Sequence, residues 1–225
     1  MDYHFYFDVI WLNWDILAYG AWLTIRISFI SIVLGLLLGI VLAGLQTTRR
    51  KLFTVPIAVY IETVRNTPFL VQLFFIYFGL PSIGLALTSE QAALSTMVIN
   101  LGAYATEIVR AGIESIHKQQ IEAGLSLGLS KIQVFRHVIL MPALKKVYPS
   151  LTAQFVLIML GSSVLSVISA GELTFQANYL QSRTFRSFEI YLVVTLIYLV
   201  LSYCFRVFFG YIYSQAFNRR SIDIG

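Results

Sequence analysis

Residues 120–136 read Q-I-E-A-G-L-S-L-G-L-S-K-I-Q-V-F-R and form a polar, glycine-containing stretch inside an otherwise apolar chain. Gly128 favours the end of a first short helix. Ser130, followed three residues later by Gln133, matches the S-x-x-Q capping box that begins a second helix. Apolar residues recur at three- and four-residue steps, as on one face of a helix: Ile121, Leu125, Gly128, Ile132 and Phe135. The stretch is therefore predicted to be a helix, a Gly-Leu-Ser turn and a second helix.

The composition around this stretch excludes a soluble domain. Of 225 residues, 58% are hydrophobic and only 12% are charged, and the mean hydropathy is +0.77, whereas a soluble domain carries about 25% charged residues. A single Cys, Cys204, excludes a disulfide framework and a multi-cysteine metal site. His4, His117 and His137 are widely separated, and no G-x-x-x-x-G-K-[ST] loop is present. The chain is therefore predicted to be neither a metalloenzyme nor an ATPase, and to bind no cofactor.

Five stretches are long and apolar enough to cross a bilayer, whose core of roughly 30 Å needs about 20 helical residues. They cover residues 20–46, 54–79, 89–112, 150–171 and 190–214. The fold is therefore predicted to be an all-α membrane protein with five transmembrane helices. An interfacial segment 1–19 precedes them, a loop 113–149 joins the third and fourth, and a tail 215–225 follows the fifth.

The basic residues orient these spans. With the N-terminus outside, the outer segments hold only Arg183 and Arg186. The inner segments hold ten basic residues: Arg49, Arg50, Lys51, Lys118, Lys131, Arg136, Lys145, Lys146, Arg219 and Arg220. This positive-inside bias predicts an external N-terminus, a cytoplasmic loop 113–149 and a cytoplasmic C-terminus. Because the basic residues flank apolar stretches and form no groove, no nucleic-acid partner is expected.

Four motifs resemble one family. E-A-G-L-S-L-G at 122–128, followed by L-S-K-I-Q-V-F-R-H-V-I-L, resembles the EAA loop of permease subunits in bacterial binding-protein-dependent (type I) ABC importers. The other three are similar to the polar amino acid permease branch. They are G-A-W-L-T-I-R-I-S at 20–28, Y-I-E-T-V-R-N-T-P-F-L-V-Q-L at 60–73 and A-Y-A-T-E-I-V-R-A-G-I-E-S-I at 103–116.

The resemblance implies a permease subunit of the bacterial inner (cytoplasmic) membrane with no ATPase site of its own. Its expected partners are two ATP-binding cassette ATPase subunits, which hold ATP and Mg, a second permease subunit, and a periplasmic or lipid-anchored amino acid binding protein. The cytoplasmic loop is then the coupling helix on which the ATPases dock. The residues expected to couple are Glu122, Ala123, Gly124, Leu125, Gly128 and Ser130. Gly124 and Gly128 are expected to share a face and to permit close approach of a partner. On composition alone, an amphipathic hairpin lying on the lipid surface is the alternative.

Ionisable residues at membrane depth are costly and usually functional. Arg65 is predicted near the midplane, with Glu62 one helical turn earlier. Either the two neutralise each other, or Arg65, with Gln72 on the same stripe, faces a polar cavity and binds a substrate carboxylate. Pro68 frees a nearby backbone carbonyl. Either this carbonyl accepts a hydrogen bond from a substrate ammonium, or Pro68 merely kinks the helix.

Polar residues in the third and fourth spans complete the candidate substrate site. Asn100 and Tyr104 contact substrate or, more commonly, form hydrogen bonds between helices. Ser162 and Ser163 line the pathway or serve packing, and packing is favoured for neighbouring Gly161. Two further predictions concern acidic residues: Glu107 and Arg110 form a local pair or a gate, and Glu172 guards the outer opening or is solvated.

The fourth span departs from the family pattern. That branch usually reads Lys-Asp/Asn-Thr-Ser-Leu where residues 160–164 read Leu-Gly-Ser-Ser-Val. The missing Lys slightly favours a heterodimer, over a homodimer, whose second permease supplies the charge. Two other function classes stay open: a stand-alone ion-coupled transporter or channel, although no internal repeat is visible, and an intramembrane hydrolase, although no Ser-His pair falls within one membrane layer.

Overall fold

The structure is a computed structural model that describes residues 5–48 and 50–218. Within these ranges the chain is helical, with no strand. Part of the predicted interfacial segment 1–19, most of the predicted tail 215–225, and the inner basic residues Arg49, Arg219 and Arg220 lie outside the described residues.

Nine helical elements follow one another along the described chain. They are α1 Asp8–Leu12, α2 Trp14–Gln46, α3 Lys51–Arg65, α4 Phe69–Phe74, α5 Ser89–Glu114, α6 Lys118–Ser126, α7 Lys131–Ile168, α8 Leu173–Thr184 and α9 Ser187–Tyr213. A π-turn at Phe75–Gly79 and a 3-10 turn at Leu80–Ile83 extend α4. By length and hydropathy α2, α5, α7 and α9 can each cross a membrane, and the bent pair formed by α3 and extended α4 brings the total to five.

Two helices begin six or more residues earlier than the sequence predicted. The first membrane helix starts at Trp14 instead of residue 20, because the aromatic residues there extend the helix into the membrane interface. The fourth starts at Lys131 instead of residue 150. The predicted loop 113–149 is therefore mostly helical, and the second helix of the connector and the fourth span are one element.

The second span, predicted over 54–79 with a kink at Pro68 as one alternative, is broken into two helices. The two halves, Lys51–Arg65 and Phe69–Ile83, meet at an angle of 110°. Pro68 lacks the N–H that would bond to the Val64 carbonyl and disfavours a helical conformation for the residue before it. The side-chain nitrogen of Gln72 takes that place, with Nε2 2.7 Å from the Val64 oxygen, so the freed carbonyl already accepts a hydrogen bond within the chain.

Two apolar cores hold the bundle. The larger lies among α2, α5, α7 and α9, and α2 approaches α5 so closely that a Cβ on Gly39 would lie 3.0 Å from the Ala105 carbonyl carbon. The smaller packs α8 against the first turns of α2 and α9. Its buried members are Ile10, Leu17, Leu173, Ala177, Leu180, Ile190 and Val194. Apolar burial of this kind stabilises the outer end of the bundle, and Ile197 and Tyr198 pack against both cores.

Candidate functional site: a mid-bundle cavity and a cytoplasmic connector

A cavity of about 310 Å³ lies where the second span breaks. Its walls come from the break itself, from the middle of α5 and from the middle of α7. Polar and apolar side chains both contribute to the lining, which consists of Thr67, Phe69, Asn100, Tyr104, Gln154, Leu157, Ile158, Gly161 and Val164. The polar lining groups are amides and hydroxyls, so the cavity suits a small polar solute.

A chain of hydrogen bonds holds the cavity's amide wall. Asn100 donates from Nδ2 to Oε1 of Gln72 at 3.1 Å. The Gln72 amide nitrogen donates in turn to the Thr67 hydroxyl at 2.9 Å and to the Thr67 carbonyl at 3.0 Å, besides Val64. Gln72 therefore supports the site by bridging the break and orienting Asn100.

Arg65 does not pair with Glu62, so that interpretation of the sequence is wrong. Its Nη1 lies 3.2 Å from Oε2 of Glu107, and its guanidinium lies 5.6 Å from the centre of the Tyr104 ring. Glu62 instead accepts a 2.8 Å hydrogen bond from the side chain of Asn66. Arg65 is the last residue of α3, which packs against α5, so the carboxylate within its reach belongs to another helix.

Glu107 and Arg110 form the local pair that their spacing predicted. Arg110 donates to both carboxylate oxygens of Glu107, at 2.9 and 3.1 Å, and to Glu114 at 2.7 Å. Arg65, Glu107, Arg110 and Glu114 thus form a continuous line of alternating charge beside the cavity. Arg65, predicted to face the cavity, is not a lining residue: it lies behind Tyr104, which lines the cavity and is its ring partner.

The two serines of α7 do not line the cavity. Ser162 is buried and donates to the Met159 carbonyl at 2.6 Å, and Ser163 donates to the Leu160 carbonyl at 2.9 Å. Gly161, by contrast, lines the cavity, and a Cβ built there would meet nothing within 4 Å. The packing role favoured for Gly161 is therefore wrong: its missing side chain leaves open space.

Two polar lining residues, Thr67 and Gln154, were not predicted from the sequence. Gln154 lies seven residues before Gly161, on the same face of α7 two turns away. Thr67 lies in the break itself. The seven-residue spacing between Gln154 and Gly161 could have indicated that both line the cavity. The position of Thr67 could not have been predicted without knowing that the second span bends there.

The connector has the predicted helix–turn–helix form. α6 ends before Gly128, which adopts φ +80, a left-handed conformation that favours glycine. The capping box at the start of α7 is present in both directions. Gln133 N donates to Oγ of Ser130 at 3.3 Å, and Ser130 N donates to Oε1 of Gln133 at 2.8 Å.

The two connector glycines do not share a role. Gly124 is buried within the connector, where a Cβ would lie 3.3 Å from Val138 and 3.4 Å from Val134. Gly128 faces open space. The expectation that both glycines form one docking face is wrong for Gly124, because α6 packs that face against the first turns of α7.

Apolar side chains remain exposed on the other side of the connector. Leu127 is 82% exposed and Ile132 is 80% exposed, and Leu125, Glu122 and Ala123 are exposed beside them. Phe135, in contrast, points toward Gly44 at the inner end of α2. Polar residues surround this apolar patch, as in surfaces that bind another protein.

Glu172 is neither solvated nor placed at an open mouth. It is fully buried and caps α8, where its carboxylate accepts from the backbone nitrogens of Thr174 at 2.9 Å and Phe175 at 2.7 Å. The Tyr198 hydroxyl donates to the same carboxylate at 2.9 Å. Glu172 lies between the segments that can span a membrane, and burial raises the pKa of its carboxyl to about 7.

Comparisons with known proteins agree with these features. Residues 35–216 match the family described as "Binding-protein-dependent transport system inner membrane component". The glutamine transport system permease protein GlnP of Escherichia coli K12 is 39% identical over 201 residues, covering 88% of this chain and 91% of the relative. The octopine transport system permease protein OccM of Rhizobium meliloti is 31% identical, covering 86% of this chain and 83% of the relative.

Solved structures share the fold. One, described as an amino acid ABC transporter with histidines, superimposes with a TM-score of 0.84 at 32% identity, covering 95% of this chain and all of that chain. An inward-facing MetNI methionine ABC transporter superimposes with a TM-score of 0.76 at 22% identity, covering 91% of this chain and 97% of that chain. The helical bundle therefore has solved counterparts of similar length, and this chain belongs to the family of inner membrane components of binding-protein-dependent transport systems.

Proposed function

We propose that this chain is the permease subunit of an ATP-driven ABC importer that carries a polar amino acid across the bacterial inner membrane by alternating access. The observation that supports this proposal most directly is the continuity of α7. One helix runs from Lys131, beside the exposed connector patch, to Gln154 and Gly161 in the cavity wall. A movement of the connector is therefore transmitted directly to the cavity.

The connector is the lever in this mechanism. ATP-binding subunits dock on the patch of Leu125, Leu127 and Ile132, and closure of their dimer draws two connectors together. Because α6 is held against α7 through Gly124, the connector moves as a unit and tilts α5 and α7. ATP thereby acts by its different affinity for two arrangements of the same bundle.

The cavity supports an amino acid with an uncharged polar side chain. Arg65, behind Tyr104, offers a guanidinium toward a carboxylate, and Asn100 and Gln154 offer amide donors and acceptors. Relatives named for glutamine transport support the same class, so glutamine is the first substrate to test.

The remaining partners complete the transporter. A second permease subunit pairs with this one, and the replacement of the family's Lys by Leu160 supports a heterodimer whose partner supplies that charge. A periplasmic or lipid-anchored binding protein delivers the amino acid. ATP and Mg are held by the ATPase subunits, and this chain binds no cofactor.

The lever is tested by Gly128→Trp in the complex purified with its ATPase subunits. We expect ATP hydrolysis to become independent of transport, or the ATPases to dissociate, because the bulky ring occupies the docking face. Gly84→Trp is the matched control, since Gly84 also has a positive φ (+85) and open space around it but lies between α4 and α5. Normal assembly and transport in the Gly128→Trp complex would refute the connector role.

The cavity is tested by Gly161→Val, which fills open space in the wall. We expect glutamine uptake into proteoliposomes to fall at least tenfold, with basal ATP hydrolysis and assembly retained. Gly210→Val is the control, because Gly210 on α9 also has nothing within 4 Å but lies away from the cavity. Uptake driven by an ion gradient without any ATPase subunit would instead support a stand-alone transporter.

A further inference from the structure

Phe185 ends α8 in a conformation that a bulky residue rarely adopts. Its φ is +55 and its ψ is +27, in the left-handed region, and its N–H bonds to the Gln181 carbonyl at 2.9 Å. At its other positive-φ positions the described chain uses glycine, at Gly84 and Gly128, or a small serine, at Ser169. Phenylalanine costs free energy at such a position, and glycine would serve the same turn without that cost.

The strained backbone holds an exposed phenyl ring. Phe185 is 83% exposed, the largest value among the exposed large hydrophobic residues of the described chain. A residue that is both strained and exposed gains little from the fold itself. Strain of this kind persists where a residue has a role in binding or catalysis.

The turn that carries Phe185 lies outside the bilayer core. α9 has 27 residues and begins at Ser187, so it is about 40 Å long, against a hydrocarbon thickness of roughly 30 Å. At its inner end the Tyr213 ring packs against Tyr148, 5.1 Å away, as in an interfacial aromatic belt. α9 is therefore long enough for its outer end, with Phe185 two residues before it, to project beyond the hydrocarbon.

Two arginines flank the ring and are held by aromatic residues. The Arg183 guanidinium lies 4.7 Å from the centre of the Tyr179 ring, and that of Arg186 lies 4.5 Å from the centre of the Tyr6 ring. Arg186 also lies 3.8 Å from Glu189, which accepts a hydrogen bond from the backbone of Tyr6. These contacts tie the N-terminal segment to the turn and fix both cations beside Phe185.

We propose that residues 183–188 form a docking knob for the substrate-loaded binding protein, with Phe185 entering an apolar recess rimmed by carboxylates. The inference rests on the proposed function, which supplies the external partner. Charge complementarity supports it, because Arg183 and Arg186 are the only Lys or Arg residues of the segments placed outside. A rigid aromatic anchor between cations is the composition of an energetic hot spot at protein interfaces.

The test uses the complete transporter in lipid nanodiscs, with ATP hydrolysis measured against the concentration of substrate-loaded binding protein. For Phe185→Gly we expect the half-maximal concentration to rise roughly tenfold, as for loss of a hot-spot residue. Basal hydrolysis should stay unchanged. The melting temperature should stay equal or rise, because glycine relieves the backbone strain.

Leu12→Ala is the matched control, because Leu12 is 80% exposed in the same outer layer but lies outside the knob. Unchanged stimulation in Phe185→Gly, with a higher melting temperature, would overturn the inference and assign Phe185 to contact with lipid. An equal shift in Leu12→Ala would also overturn it. If no ATPase subunit is present in the complex, the proposed function itself is wrong. If Phe185→Gly keeps both its basal ATP hydrolysis and the stimulation of that hydrolysis by the binding protein, only the docking knob is wrong.

Discussion

Two carboxylates, Glu107 beside the cavity and Glu172 at the outer end, are held in opposite ways. Glu107 is 26% exposed and accepts hydrogen bonds from two arginines on two helices. Glu172 is completely buried, and among the described residues no Lys, Arg or His lies within ion-pair distance of it. Backbone amides and one tyrosine hydroxyl hold it instead.

The difference separates a movable arrangement from a fixed one. Charged pairs at a partly exposed site break and re-form at small cost, as a transport pathway requires. A buried carboxylate that caps a helix and bonds to a second helix has no solvent to replace its partners. We therefore expect the region of α5 around Glu107 to rearrange during transport, while α8, α9 and the outer core move as one body.

The largest effect is expected for Glu172→Ala. The change leaves two buried N–H groups and the Tyr198 hydroxyl without their acceptor. We expect about 4 kcal/mol of lost stability from the cap and the unsatisfied donors together, measured by thermal unfolding of the purified complex. A loss no greater than that of Glu90→Ala, a half-exposed acid on α5, would contradict the buried-cap account.

The second effect is a pH dependence. Because burial raises the pKa of Glu172 from its ordinary 4.5 to about 7, the folded state binds the proton more tightly than the unfolded state. The resulting stabilisation is complete below pH 4.5 and is lost as the pH rises to about 7, at most about 3 kcal/mol.

Unfolding curves of wild type and Glu172→Gln between pH 4.5 and 8 measure this pH-dependent stabilisation. The difference between the two proteins isolates Glu172 from the other acids. A difference that does not change across this range would show that the carboxyl keeps its ordinary pKa.

A smaller effect is expected for Glu107→Gln. Arg110 retains Glu114, but Arg65 loses the only carboxylate within reach among the described residues. We expect about 2 kcal/mol of lost stability, together with weaker glutamine uptake as Arg65 changes position beside Tyr104.

Glu114→Gln is the control for this change, since Glu114 is 61% exposed and accepts one bond from Arg110. Equal losses in stability and uptake for Glu107→Gln and Glu114→Gln would refute the link from Glu107 through Arg65 to the cavity.

The smallest effect is expected for Glu90→Gln, which breaks the ion pair between Arg26 of α2 and Glu90 of α5. Both side chains are about half exposed, 47% and 54%, so the pair contributes about 0.5 kcal/mol or less. A double-mutant cycle with Arg26→Gln measures the coupling. A coupling free energy above 1 kcal/mol would show that exposed ion pairs in this bundle are stronger than half-exposed ion pairs usually are.

The sequence by itself determined the features that depend on local pattern. Hydropathy predicted five membrane segments. The capping box at Ser130 and the turn at Gly128 predicted the connector, because caps and turns are formed by residues three or four apart. The pairing of Glu107 with Arg110 followed from the same helical spacing. Four motifs in order indicated the permease family, which the comparisons confirm.

Only the tertiary structure decided the features that depend on which helices meet. The packing of α3 against α5 brought Glu107 within reach of Arg65, and the 110° bend at Pro68 gave the Val64 carbonyl to Gln72. The packing of α8 against α9 buried Glu172, and the absence of a neighbour at Gly161 made a cavity where packing was expected. Spacing along one helix fixes only neighbours on that helix, whereas contacts between helices depend on bend angles and on how whole helices pack.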